Sequence, residues 1–111
     1  MDLGLAGMKA LVTGGTKGIG RAVAEHFAAE GCDVAICARN AEEVAQTVAA
    51  LFQRGVKATG RTVDVADGLA LTQWVGDVGT ELGGIDIVVS NVSALAIGQD
   101  EASWQAEFNT A

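Results

Sequence analysis

Residues 8–20 read MKALVTGGTKGIG, and this stretch decides how the rest of the chain is read. Met8, Ala10, Leu11 and Val12 form a short apolar run, Thr13 to Gly18 supply turn chemistry, and Ile19 opens a helical apolar face. The pattern is a buried strand, a glycine-rich turn and the first turn of a helix. Small residues in such a turn let backbone N–H groups approach a phosphate closely. The helix amino end adds unpaired donors and a favourable dipole. The same turn can also serve only to pack a helix tightly on a strand, so the remaining sequence has to separate the two uses.

Working outward, strand and helix patterns alternate, the mark of a parallel sheet wound by helices. Ile19, Val23 and Phe27, with Ala22 beside them, follow helical spacing, and Gly31 is placed to end that helix in a left-handed conformation. Asp33 to Cys37 is nearly all apolar, as a strand covered on both faces should be. Val44, Val48 and Leu51 predict a helix over 41–54, ended by Gly55. Lys57 to Val63 reads as a third strand. Asp67 is placed as the N-cap of a helix through Leu71, Trp74, Val75, Val78 and Leu82 that stops at Gly83-Gly84. Ile85 to Ser90 gives a fourth strand, and a further helix starts at Ser103, with Trp104 and Phe108 as its core stripe. The expected fold is α/β, a doubly wound parallel sheet with strand order 3-2-1-4 and right-handed crossovers. The ligand crevice is expected at the carboxyl ends of strands 1 and 4, where the order reverses.

Composition narrows the function. A chain of 111 residues, half of them hydrophobic, is one domain able to bury a core. Fourteen acidic residues against seven scattered basic ones disfavour nucleic acid and anionic membrane surfaces as partners. No run approaches the roughly 18 apolar residues of a membrane span, and MDLGLAGMK lacks the basic and apolar regions of a secretory signal. Cys32 and Cys37 lie an odd number of positions apart around one strand, so their side chains should face opposite sides of the sheet. They predict neither a disulfide nor a metal site, and His26 stands alone on its helix as a packed or solvent-edge residue. The expected location is the cytoplasm.

The glycine spacing is Gly14-x-x-x-Gly18-x-Gly20, which departs from the G-x-G-x-x-G dinucleotide fingerprint. With Thr13 in front it reads TGxxxGxG, and the chain resembles the classical short-chain dehydrogenase/reductase family. Within it, the 3-oxoacyl-carrier-protein reductases and tropinone-reductase-like enzymes are the most similar. The resemblance implies a Rossmann-type fold and places Gly14, Thr16, Lys17, Gly18, Ile19 and Gly20 against a dinucleotide. NAD-specific folds close the second strand with an acid that binds the ribose 2′-hydroxyl. Here Ala38 takes that place and Arg39 follows it. A carboxylate would repel a 2′-phosphate, whereas a guanidinium suits one. The resemblance puts a second cation at Lys17 in NADP-preferring members, so NADP(H) is the expected cofactor. The competing reading makes both residues solvated surface charges.

Asp64-Val65 ends the third strand. The resemblance assigns such a pair to the adenine, and by itself Asp64 reads as a turn residue. Asp86-Ile-Val-Val-Ser-Asn91-Val-Ser93 resembles the family's D-x-x-x-N-N-A-G segment only in part. Asn91 matches its second asparagine, Ser90 replaces the first, and Ser93 replaces the glycine. Asn91 is therefore a cofactor-site candidate, or a structural amide cross-linking strands. The family's Trp, hydrophobic and Asn helix pattern meets Trp104 and Phe108 but reaches Ala111 at the third place, and Asn109 is out of register.

Family members run well beyond this length, and their Ser and Tyr-x-x-x-Lys catalytic set lies past residue 111. The chain has no tyrosine, and no catalytic residue is assigned within it. Its last residues read as helix without a stop signal. The expectation is the N-terminal, cofactor-binding part of an NADP(H)-dependent oxidoreductase. That enzyme would transfer hydride between nicotinamide and a small-molecule carbonyl or alcohol substrate, of ketone or 3-oxoacyl type. By resemblance the parent is a homo-oligomer, and the 111-residue chain alone should be inactive. The alternative is a truncated, non-catalytic nucleotide-binding protein acting through a partner chain.

Overall fold

A computed structural model describes residues 5–90. The order is β1 (Lys9–Thr13), α1 (Gly18–Ala29), β2 (Asp33–Ala38), α2 (Ala41–Phe52), β3 (Ala58–Thr62), α3 (Gly68–Leu82) and β4 (Ile87–Ser90). The strands form one parallel sheet in the order β3-β2-β1-β4, as the alternating pattern predicts. Its two central strands are also the most apolar. Ala10, Leu11 and Val12 in β1 and Val34 to Cys37 in β2 are fully buried.

Period-two alternation divides that apolar content between two cores. Val12, Val34 and Ile36 face Ala24 and Ala28 of α1 and Leu51 of α2. Leu11, Ala35 and Cys37 face Leu71, Trp74, Val78 and Leu82 of α3. The sheet is thus covered by α1 and α2 on one side and by α3 on the other, the doubly wound arrangement expected. Cys32 and Cys37 fall in opposite cores as free thiols, in agreement with their odd spacing.

Helix ends follow their sequence signals closely. Asn40 caps α2 through Glu43 N–H, and Asp67 caps α3 through Ala70 N–H. Gly31, Gly55 and Gly83 take φ of 89°, 88° and 80° after α1, α2 and α3, where a side chain would be strained. The amino edge of the sheet is tied by acids. Asp86 Oδ2 accepts from Lys9 N–H at 2.9 Å, and Asp33 Oδ1 accepts from Lys57 N–H at 3.0 Å.

Four expectations need correction. The buried stripe of α1 is Gly20, Ala24 and Ala28, while Ile19 is 75% exposed. Val23 and Phe27 are only partly buried. The helix lies so near the sheet that small residues, one position beyond the large apolar ones, fill the contact. Helix α2 ends at Phe52 and not at Arg54, with Gln53 as its C-cap. Strand β3 is Ala58–Thr62, one residue shorter at each end than expected. Strand β4 starts at Ile87 and not at Ile85, because Asp86 is engaged with Lys9 at the strand's entry. The expected helix from Ser103, with Trp104 and Phe108, lies outside the described residues, as do Asn91 and Ser93.

Candidate functional site

The glycine turn sits at the carboxyl ends of β1 and β2, which end side by side with Thr13 paired to Cys37. Gly14 N–H donates to the Cys37 carbonyl at 2.8 Å and Gly15 N–H to the same oxygen at 3.3 Å. This anchor folds the chain sharply over the end of β2. Gly14 adopts φ 67° and Gly18 φ 55°, both in the left-handed region. A β-carbon at Gly18 would meet nothing within 4 Å, so the backbone is open on that side. Gly15 has the opposite need, because a β-carbon there would stand 2.7 Å from Ile36 Cγ2. The sequence reading named Gly14, Gly18 and Gly20 and passed over Gly15. A second glycine beside Gly14 was the only signal for it.

Helix α1 begins directly behind this turn. Its N-cap is Lys17, in extended conformation, with no side-chain cap hydrogen bond, unlike α2 and α3. The amides of its first turn therefore combine with the helix dipole to favour an anion. Ile19 projects from that first turn into solvent, where it can lie against a bound ligand. Gly20 is buried in the helix and serves its packing. The donor set and the open approach fit a dinucleotide pyrophosphate.

Cations and acids surround the turn. Arg39 follows β2, is exposed, and makes no ion pair among the described residues. Lys17 is 3.3 Å from Glu43 Oε2, and Thr16 donates its hydroxyl to Glu43 Oε1 at 3.3 Å. Glu43 was absent from the sequence reading, since its place in α2 reads as an ordinary first-turn acid. Only the fold brings it to the glycine turn. Asp64 follows β3 and accepts from Ala66 N–H at 3.0 Å, with its carbonyl accepting from Asp67 N–H at 2.8 Å. It therefore holds a turn as the bare reading had it, while its carboxylate stays exposed. Val65 packs partly against the α3-side core. Asn91 lies outside the described residues.

Both thiols are buried, which disfavours the thiolate form. Burial pushes the Cys37 thiol up to about 11 against the weaker opposing effect of the Gly14 N–H, and burial likewise raises Cys32. Both stay protonated at neutral pH. His26 is exposed and lies 4.0 Å from Glu30. Among the described residues no group of His, Cys, Asp and Glu could hold a metal ion. No helix among them is long and apolar enough to cross a membrane.

Residues 8–111 match the family model described as short chain dehydrogenase. The chain belongs to this family. It is 43% identical over 82 residues to a protein assigned as ketoacyl reductase 1 of the granaticin polyketide synthase of Streptomyces violaceoruber, covering 74% of this chain and 30% of that one. Its structure is similar to the L-sorbose reductase of Gluconobacter frateurii complexed with NADPH and L-sorbose. The TM-score is 0.79 at 36% identity, over 84% of this chain and 36% of that one. It is also similar to an NAD⁺-bound xylitol dehydrogenase, with a TM-score of 0.73 at 32% identity, over 76% of this chain and 32% of that one. The short-chain dehydrogenase chain thus spans about a third of the length of these relatives.

Proposed function

We propose that the chain is the cofactor-binding, N-terminal part of an NADP(H)-dependent oxidoreductase acting on a ketone or 3-oxoacyl substrate and the corresponding alcohol. The observation that carries the cofactor choice is Arg39. It stands immediately after β2, exposed and without an ion pair among the described residues, next to Ala38, which takes the place where an NAD-specific site would present an acid. Lys17 at the start of α1 adds a second cation on the neighbouring loop. One similar structure holds NADPH and another NAD⁺, so the family alone leaves this choice open.

The cofactor, when bound, supplies the hydride. In this reading the chain's own residues hold and orient it. The glycine turn from Gly14 to Gly20 receives the pyrophosphate through the amides that follow Gly14 and Gly15, whose own N–H groups are held by the Cys37 carbonyl, and Arg39 and Lys17 receive the 2′-phosphate. Asp64 and Val65 receive the adenine, with Asn91 beside the nicotinamide ribose. A proton donor comes from beyond residue 111, by resemblance a tyrosine assisted by lysine and serine. The ketoacyl and sugar reductases among the similar proteins support a carbonyl substrate. The resemblance further supports a homo-oligomer.

The test is turnover. The full-length protein should oxidise NADPH with a ketone or 3-oxoacyl thioester, with kcat/KM at least tenfold higher than with NADH. Purified residues 1–111 should show no turnover. Activity of the full-length protein with NADH alone would overturn the cofactor assignment, and turnover by the 111-residue chain would overturn the division of labour.

A further inference from the structure

We propose that Glu43 sets the cofactor preference of this site by holding Lys17 in an ion pair that a 2′-phosphate must break. The inference rests on the NADP(H) reading and adds a residue that opposes it.

The geometry begins with a helix cap. Asn40-x-x-Glu43 has the spacing of a capping box, in which the acid would turn back to the N-cap amide. Only the forward half is made here, Asn40 Oδ1 accepting from Glu43 N–H at 3.0 Å. The Glu43 carboxylate crosses instead to the β1–α1 turn, one oxygen 3.3 Å from Lys17 Nζ and the other accepting from Thr16 Oγ1 at 3.3 Å. Thr16 is 8% exposed, which makes that partner a fixed one. The two ends of the ion pair differ in freedom. The Lys17 side chain is 78% exposed and the Glu43 side chain 32%. The ammonium can swing away, but the carboxylate stays.

An incoming 2′-phosphate therefore meets one unpaired cation, Arg39, and one cation already neutralised. It also brings its own negative charge near a carboxylate that the buried Thr16 hydroxyl holds at the turn. A ribose 2′-hydroxyl suffers neither cost. Neutralising Glu43 should thus tighten NADPH and leave NADH nearly unchanged. The exposure of Lys17 keeps the effect moderate, roughly three- to tenfold.

The experiment titrates the full-length protein with NADPH and NADH by cofactor fluorescence, comparing wild type, Glu43→Gln and Arg39→Ala. Glu43→Gln preserves the helix cap, which uses the backbone amide of residue 43. The expected result is an NADPH Kd lowered roughly three- to tenfold, with the NADH Kd changed less than about twofold. An unchanged ratio, or weaker NADPH binding, would overturn the proposal, the second outcome making Glu43 a positioning residue for Lys17. Titration with 2′-AMP and 5′-AMP isolates the phosphate, and only the former should gain affinity. Arg39→Ala separates the two levels of argument. If it leaves the NADPH to NADH ratio untouched, the cofactor reading itself fails. If it lowers the NADPH to NADH affinity ratio while Glu43→Gln does not raise it, only the role of Glu43 fails.

Discussion

A β-carbon added at Gly15 would lie 2.7 Å from Ile36 Cγ2 and 2.9 Å from Ile36 Cβ. Ile36 is fully buried at the heart of the core shared with α1 and α2. The glycine turn is therefore pressed onto the end of β2, and its position depends on this contact as much as on the hydrogen bonds from Gly14 and Gly15 to Cys37.

Gly15→Ala should destabilise the fold by about 1–3 kcal/mol, the usual cost of overpacking a fitted core. Ile36 Cβ is fixed by its backbone, and moving Cγ2 aside needs a change of χ1 in a fully buried, β-branched side chain. Urea denaturation followed by circular dichroism checks this. A loss under about 0.5 kcal/mol would mean that the turn relaxes away from Ile36 at little cost.

Gly18 should respond in the reverse way. It needs a left-handed backbone, φ 55°, yet has open space around it. Asparagine tolerates that conformation, so Gly18→Asn should cost only about 1 kcal/mol in folding. In the proposed binding mode its side chain would nonetheless stand where the pyrophosphate approaches, and NADPH affinity should fall at least about tenfold. Undiminished affinity in the folded variant would place the cofactor elsewhere.

Arg39→Asp should reverse the cofactor preference. A charge-assisted hydrogen bond to phosphate contributes roughly 1.5–3 kcal/mol, and the new carboxylate would repel the 2′-phosphate while accepting from a ribose hydroxyl. The ratio of kcat/KM for NADPH and NADH in the full-length protein measures it. An unaltered ratio would make Arg39 a solvated surface charge.

Cys37 should give the fold an alkaline weakness. Its folded pKa, about 11, lies above the ordinary thiol value of 9.0 because the thiolate would be buried. Its contribution to stability is complete below pH 9, where both states are protonated. As pH rises from 9 towards 11 the unfolded chain ionises first, and stability falls. The shift corresponds to roughly 2–3 kcal/mol. Urea midpoints for wild type should drop across this interval more steeply than those of Cys37→Ala. Equal slopes would remove Cys37 as the cause.

The sequence by itself determined the architecture. Apolar runs of four to six residues alternating with helical spacing specify strands buried on both faces, and Asp67, Gly31, Gly55 and Gly83 mark helix ends through local backbone chemistry. These signals act within a few residues, so they can be read along the chain. The glycine turn was legible for the same reason, since Gly14 and Gly18 meet a local demand for left-handed backbone. Tertiary structure alone decided what crosses between segments. Gly15 against Ile36, Gly60 with Val44 Cγ1 only 2.6 Å from where its β-carbon would stand, and Glu43 on Lys17 join residues 16 to 26 positions apart. The burial of Ala24 and Ala28 in place of Ile19 belongs with them, because the depth at which α1 rests on the sheet is fixed by the strands beneath it. Such contacts depend on which surfaces the parallel sheet brings together, and periodicity along one segment carries no record of its neighbour across the fold.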